Sequence, residues 1–224
     1  MTHTEIVERT IAFVKKTLQG AEGGHDWFHI ERVFKNTLLI AKDEEVDLLV
    51  ASLGALLHDI ADAKFHDGDE SIGPKMAQTF LHSIQVDPEV IAQVVKIIEN
   101  ISFKSSLKSE TATDRGQAFS SIELQVVQDA DRLDAIGAIG IARAFNYGGY
   151  KNRELYNPEV PFREGMTKAE YKKAKSPTIN HFYEKLLLLK NLMNTETGKK
   201  LAEERHQFML HYLKQFYSEW NGMA

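Results

Sequence analysis

A histidine beside an aspartate, His58–Asp59, closes the most apolar stretch of the chain, and Asp62 and Lys64 follow within two turns. A carboxylate at the end of so apolar a segment needs a counter-charge, hydrogen bonds or a metal, because desolvating it alone is expensive. Two other segments offer partners. Gly24-His25-Asp26-Trp27-Phe28-His29-Ile30-Glu31-Arg32-Val33 carries two histidines, and Gln128-Asp129-Ala130-Asp131-Arg132-Leu133-Asp134 places three carboxylates after Leu124, Val126 and Val127. Imidazoles and carboxylates together suit Mn²⁺, Fe²⁺, Zn²⁺ or Mg²⁺. A bare His-Asp pair has little specificity: Asp59 could equally cap a helix or pair with Arg32, and His58 could bond a backbone carbonyl.

The elements that must position these groups read as helices. Thr2 and Glu5 have capping-box spacing, and Ile6, Ile11, Val14 and Leu18 follow at helical intervals. Asp26 is a predicted N-cap for a helix carrying Ile30, Val33, Phe34, Thr37, Leu38 and Ala41. Residues 46–58 are apolar on all sides, as a central buried helix requires. Asp87–Pro88 and Ser176–Pro177 each set a capping residue before a proline at a predicted first helical position, with helices running to Ile101 and Met193. Ser121–Phe145 reads as one long helix or two abutting ones, and a last helix runs from about Glu196 to Trp220.

No stretch shows period-two alternation, so the expected fold class is all-α, in a single domain spanning 1–224. Its metal-binding core covers about 20–145, with helices over about 176–220 packing on it. Two polar stretches, 102–120 and 148–175, are long enough to suggest a role at a site. Tyr147, Tyr150, Arg153 and Tyr156, near the start of the second, have the side chains to contact a base or sugar.

The three polar segments together resemble the HD superfamily of metal-dependent phosphohydrolases. That family has a histidine, an adjacent His-Asp pair and a distant aspartate on separate helices of an all-α fold. His29, His58–Asp59 and Asp129 match in order and spacing. Ala55-Leu56-Leu57-His58-Asp59-Ile60-Ala61-Asp62 and Asn180-His181-Phe182-Tyr183-Glu184-Lys185-Leu186 are similar to a stand-alone bacterial subgroup. The resemblance implies an HD-like helical bundle holding one divalent ion (Mn²⁺, Mg²⁺, Fe²⁺, Co²⁺, Ni²⁺ or Zn²⁺) on those four residues.

It favours His29 over His25, which is four residues away and could share its helical face. It also selects Asp129 over Asp131 and Asp134, which spacing alone does not. Asp62, four residues after His58, corresponds to an acidic group that acts on the attacking water in an alarmone-hydrolysing branch. Lys64 is expected to assist catalysis by balancing phosphate charge, and Arg32, His181 and Lys185 to bind substrate. His66 and His82 have no partner signal and read as surface residues.

The expected activity is hydrolysis of a phosphate ester or anhydride in a nucleotide or related small molecule. The alternative is a non-catalytic regulator that binds nucleotide or metal in the same pocket. Other features narrow the field. Lys and Arg total 27 against 32 Asp and Glu, which argues against a nucleic-acid partner. Without cysteine there is neither a thiolate site nor a cysteine nucleophile. No apolar run is of membrane-spanning length, and no signal-peptide pattern starts the chain, so a cytoplasmic protein is expected. The oligomeric state is left open, a homodimer included.

Overall fold

In a computed structural model of the chain, residues 1–20, 26–61, 69–101, 119–163 and 176–223 are described. His25, Asp62, Lys64 and His66 therefore lie outside the described residues, as do 102–118 and 164–175 of the two polar stretches. Every regular element among the described residues is helical, so the fold is all-α. The chain divides into two compact units, Met1–Asp131 and Arg132–Ala224.

The first unit is built on a buried central helix. Helix α1 (His3–Thr17) starts at the Thr2–Glu5 capping box, and α2 (Trp27–Ile40) starts at Asp26, whose side chain accepts from His29 N. Helix α3 (Leu48–Leu57) follows Asp47, which accepts from Leu49 N and Val50 N, and Leu49–Leu57 are all buried. Helices α1, α2 and α5 (Pro88–Asn100) pack against α3, and α4 (Ile72–Ser83) packs on α5. As expected, Asp87 caps α5 and Pro88 fills a position whose N–H would have had no partner. His82 lies exposed on α4.

The Ser121–Phe145 stretch is two helices, α6 (Ile122–Asp134) and α7 (Gly137–Tyr150). They part at Gly137, whose φ of 74° is the left-handed conformation that glycine takes without a Cβ penalty. Within the first unit α6 is tied to its neighbours at three levels. Asp47 N donates to Glu123 Oε1 at 3.0 Å, Gln128 Nε2 to Asn100 O at 3.1 Å, and Asn36 Nδ2 to Ala130 O at 3.2 Å.

In the second unit, α7 packs on α8 (Thr178–Glu184) and on α9 (Glu196–Trp220). A 3₁₀ turn over Leu186–Leu192 packs on both α8 and α9. Phe182, Ile179, Leu186, Met209 and Leu213 form its apolar interior. The long α9 matches its predicted bounds, but the helix expected from Ser176–Pro177 to Met193 differs in two ways. It begins one residue late, with Pro177 at the cap and no side-chain cap bond, and it breaks at Lys185.

The reason is tertiary. Thr178 N and Ile179 N, which a capping serine would help satisfy, donate instead to Glu154 O and Leu155 O at 2.8 and 3.0 Å. Ser176 Oγ is left to donate to Glu184 Oε1 at 3.3 Å. Gly148 permits the close approach of α7 to α8, because Thr178 Oγ1 stands well inside contact distance of where a Cβ would be.

Candidate metal centre

Three helices of the first unit bring two imidazoles and a carboxylate together. His29 is the third residue of α2, and its backbone N–H is held by Asp26 Oδ1 at 3.0 Å, so the turn that carries the ring is fixed. His58 caps the C-terminus of α3. Its Nδ1 lies 2.8 Å from Ala55 O, a pairing that makes Nδ1 the donor and leaves Nε2 with its lone pair free to point elsewhere. Both Nε2 atoms face one oxygen: His29 Nε2 is 3.6 Å, and His58 Nε2 3.9 Å, from Asp131 Oδ1. The rings meet edge to face, 5.4 Å apart between centres.

The spacing fits a shared cation. Donors bound to one ion at about 2.1 Å stand roughly 3.0–3.4 Å apart in octahedral or tetrahedral geometry. The three ligand atoms all lie within 4.8 Å of one another, so a small inward movement reaches that spacing. The chemistry fits as well, since imidazole and carboxylate without sulfur suit first-row divalent ions and Mg²⁺. Exposure is uneven in a useful way. The histidine side chains are 4% exposed and that of Asp131 is 42% exposed, so the trio has dry walls and one open side.

The expected ligands divide accordingly. His29 and His58 stand in the trio, joined among the described residues by Asp131, two positions after Asp129. Asp129 is fully buried and engaged with other groups. Residues two apart on a helix leave its axis roughly 200° apart, and the bond from Asn36 to Ala130 O, between the two aspartates, helps to fix the rotation of α6. Buried apolar residues at 124, 126, 127, 130 and 133 flank both aspartates, so periodicity carried no signal that separates them.

Asp59 is half-buried, has interactions of its own and stands outside the trio. Arg32 is half-buried and likewise engaged. His181 and Lys185 lie on α8 and at its C-terminal cap, in the second unit. Burial pushes the His181 imidazole down to about 3, and the charges of Lys185 and Arg153 act in the same direction.

Comparison with known proteins decides the family. Residues 27–136, which include all of the trio, match the family described as HD domain. The chain belongs to the HD-domain family. It is similar over nearly its whole length to stand-alone bacterial members. The uncharacterised protein YpgQ of Bacillus subtilis is 36% identical over 228 residues, spanning 100% of this chain and 98% of the relative. The crystal structure of an HD-superfamily hydrolase from Bacillus thuringiensis matches with a TM-score of 0.78 at 41% identity, covering 98% of this chain and 99% of that one. YpgQ crystallised in complex with ADP matches with a TM-score of 0.72 at 36% identity, covering 98% and 97%. The kinship is with HD-superfamily hydrolases. No helix among the described residues is long and apolar enough to cross a membrane.

Proposed function

We propose that this protein is a metal-dependent phosphohydrolase that cleaves a phosphate ester or anhydride of a nucleotide. The observation that carries the reading is the convergence of His29 Nε2 and His58 Nε2 on Asp131 Oδ1 from three helices. Asp59, adjacent to His58, and Asp129 are proposed as further ligands on the strength of the family pattern. The nucleotide is supported by the ADP found in crystalline YpgQ.

A divalent cation bound there supplies Lewis acidity toward a phosphoryl oxygen and makes water more acidic. The chain's own groups do the remainder. His58, its Nδ1 donating to Ala55 O, and His29, on a turn whose backbone N–H donates to Asp26 Oδ1, present their Nε2 atoms with little reorganisation. Asp62 accepts the proton of the attacking water and orients it. Lys64 and Arg32 offset phosphate charge, which matters because phosphoryl transfer depends mainly on positioning and electrostatics. Direct attack by water is the simplest course for a chain that has no cysteine nucleophile.

The test is a screen of nucleoside mono-, di- and triphosphates, alarmones and phosphodiesters with Mn²⁺, Mg²⁺, Co²⁺ and Ni²⁺, resolving phosphate from pyrophosphate release. Metal-dependent turnover abolished by Asp131→Ala is expected. Nucleotide binding without turnover under every condition would leave a regulator in place of the enzyme.

A further inference from the structure

Two carboxamides hold α6 at the residues on either side of Asp129. Gln128 Nε2 donates to Asn100 O, on the last residue of α5, at 3.1 Å. The final carbonyls of a helix have no amide of that helix to accept from, so Gln128 meets an acceptor that α5 itself does not serve. On the other side, Asn36 Nδ2 of α2 donates to Ala130 O at 3.2 Å, and Asn36 is buried. Asn36 and His29 stand seven residues apart on α2, so they leave its axis within about 20° of each other and share one face. That face meets α6 twice, through Asn36 at Ala130 and through His29 Nε2, 3.6 Å from Asp131 Oδ1. Adjacent residues of α6 thus answer to points about 10 Å apart along α2, and turning α6 by one residue, about 100°, would break both contacts.

Packing alone would hold α6 in the first unit, since Val126, Val127 and Ala130 are fully buried. Apolar burial is non-directional, however, and fixes the rotation of a helix less sharply than a hydrogen bond to its backbone does. The chemistry of the two donors also suits a cation site nearby. Lysine or arginine in either place would bond a carbonyl as well, but would set a positive charge beside groups that take up a positive ion. An ionised aspartate or glutamate would have no proton to donate. A carboxamide donates and adds no charge.

We propose that Asn36 and Gln128 are positioning residues for the metal centre, fixing the rotation of α6 and so placing its aspartates against His29 and His58. Ligands must be held to within about 0.5 Å of their working geometry, and a helix free to roll would not hold them so. The role rests on the proposed function in that the cluster is read as a site for a divalent cation.

Titration of the full chain with Mn²⁺ alone, counting free Mn²⁺ by its paramagnetic resonance signal, tests it, with urea melts of the metal-free samples alongside. Asn36→Leu and Gln128→Met remove each donor at similar side-chain volume. Each is expected to weaken Mn²⁺ roughly tenfold, the lower end of what loss of a group orienting a ligand costs. A role in stability alone would shift the melts and leave Mn²⁺ affinity as in the parent. Gln128 is only half-buried, so its variant should fold even if the buried Asn36 tolerates leucine poorly. Asn36→Leu is then combined with Asp131→Asn and, separately, with Asp129→Asn. Its effect should vanish in the background of the aspartate that it positions, because the two changes then act through one group. Parental Mn²⁺ affinity in both single variants overturns the positioning role, as does a loss from Asn36→Leu that persists undiminished in both backgrounds. A parent chain that takes up no Mn²⁺ overturns the metal-centre reading itself, and the positioning role with it.

Discussion

The Nδ1 atom of His58 faces the carbonyl oxygen of Ala55 at 2.8 Å, within its own helical turn. The short bond settles the tautomer and turns Nε2 outward, so a residue that also caps α3 becomes a ready donor to a cation. Rotation of the ring would cost a buried hydrogen bond, which keeps the donor aimed.

Asp131→Ala is expected to lower metal affinity by at least about a hundredfold, given that loss of even an outer partner of a ligand costs roughly ten- to a hundredfold. Metal content after dialysis, measured by plasma mass spectrometry, checks it. Stoichiometric metal retained by this variant, with metal lost from Asp129→Ala, would assign the carboxylate role to Asp129 instead of Asp131.

Asp62→Ala should retain metal and lose turnover by roughly a hundredfold or more, the usual contribution of a positioned general base. Steady-state kinetics on whichever nucleotide the screen identifies provide the measurement. An unchanged kcat removes Asp62 from the chemistry.

Gly148→Ala should destabilise the chain by about 1–3 kcal/mol, as overpacking typically does. A methyl at Gly148 would collide with Thr178 Oγ1, which is buried and has no hydrogen-bond partner among the described residues. Adding Thr178→Ala should recover much of the loss in urea melts. Additive losses would show that the two helices do not approach as described.

His181 gives a pH dependence with a definite sign. In the folded chain its ring stays neutral down to about 3, whereas an unperturbed histidine takes up its proton near 6.5. Acid therefore favours the unfolded chain. The stability tied to this ring is fully present above about pH 6.5 and is lost as pH falls toward 3, by up to roughly 1.4 kcal/mol per unit. His181→Asn should flatten that part of the curve of urea stability against pH. An unaltered slope between pH 6.5 and 4 counts against the assignment.

What the sequence revealed was local chemistry. Asp26 and Asp87 act within one turn of themselves, so capping rules locate the helices they start. His58 stood out because the carboxylate beside it ends an apolar stretch, and the family resemblance selected His29 over His25. Which of Asp129 and Asp131 serves the site was not legible, because α6 is held in part by Asn36, 94 residues away, and no spacing within the helix encodes that. Ser176–Pro177 was misread for a related reason: carbonyls at 154 and 155 took over the capping work that serine normally performs.

The bond from Asn36 to Ala130 joins the helix of His29 to the helix of Asp131 across a wide interval of chain, and the loop-closure entropy of that junction is met during folding. It uses none of the candidate donors, so replacing His29, His58 or Asp131 should leave the pairing of the two helices in place.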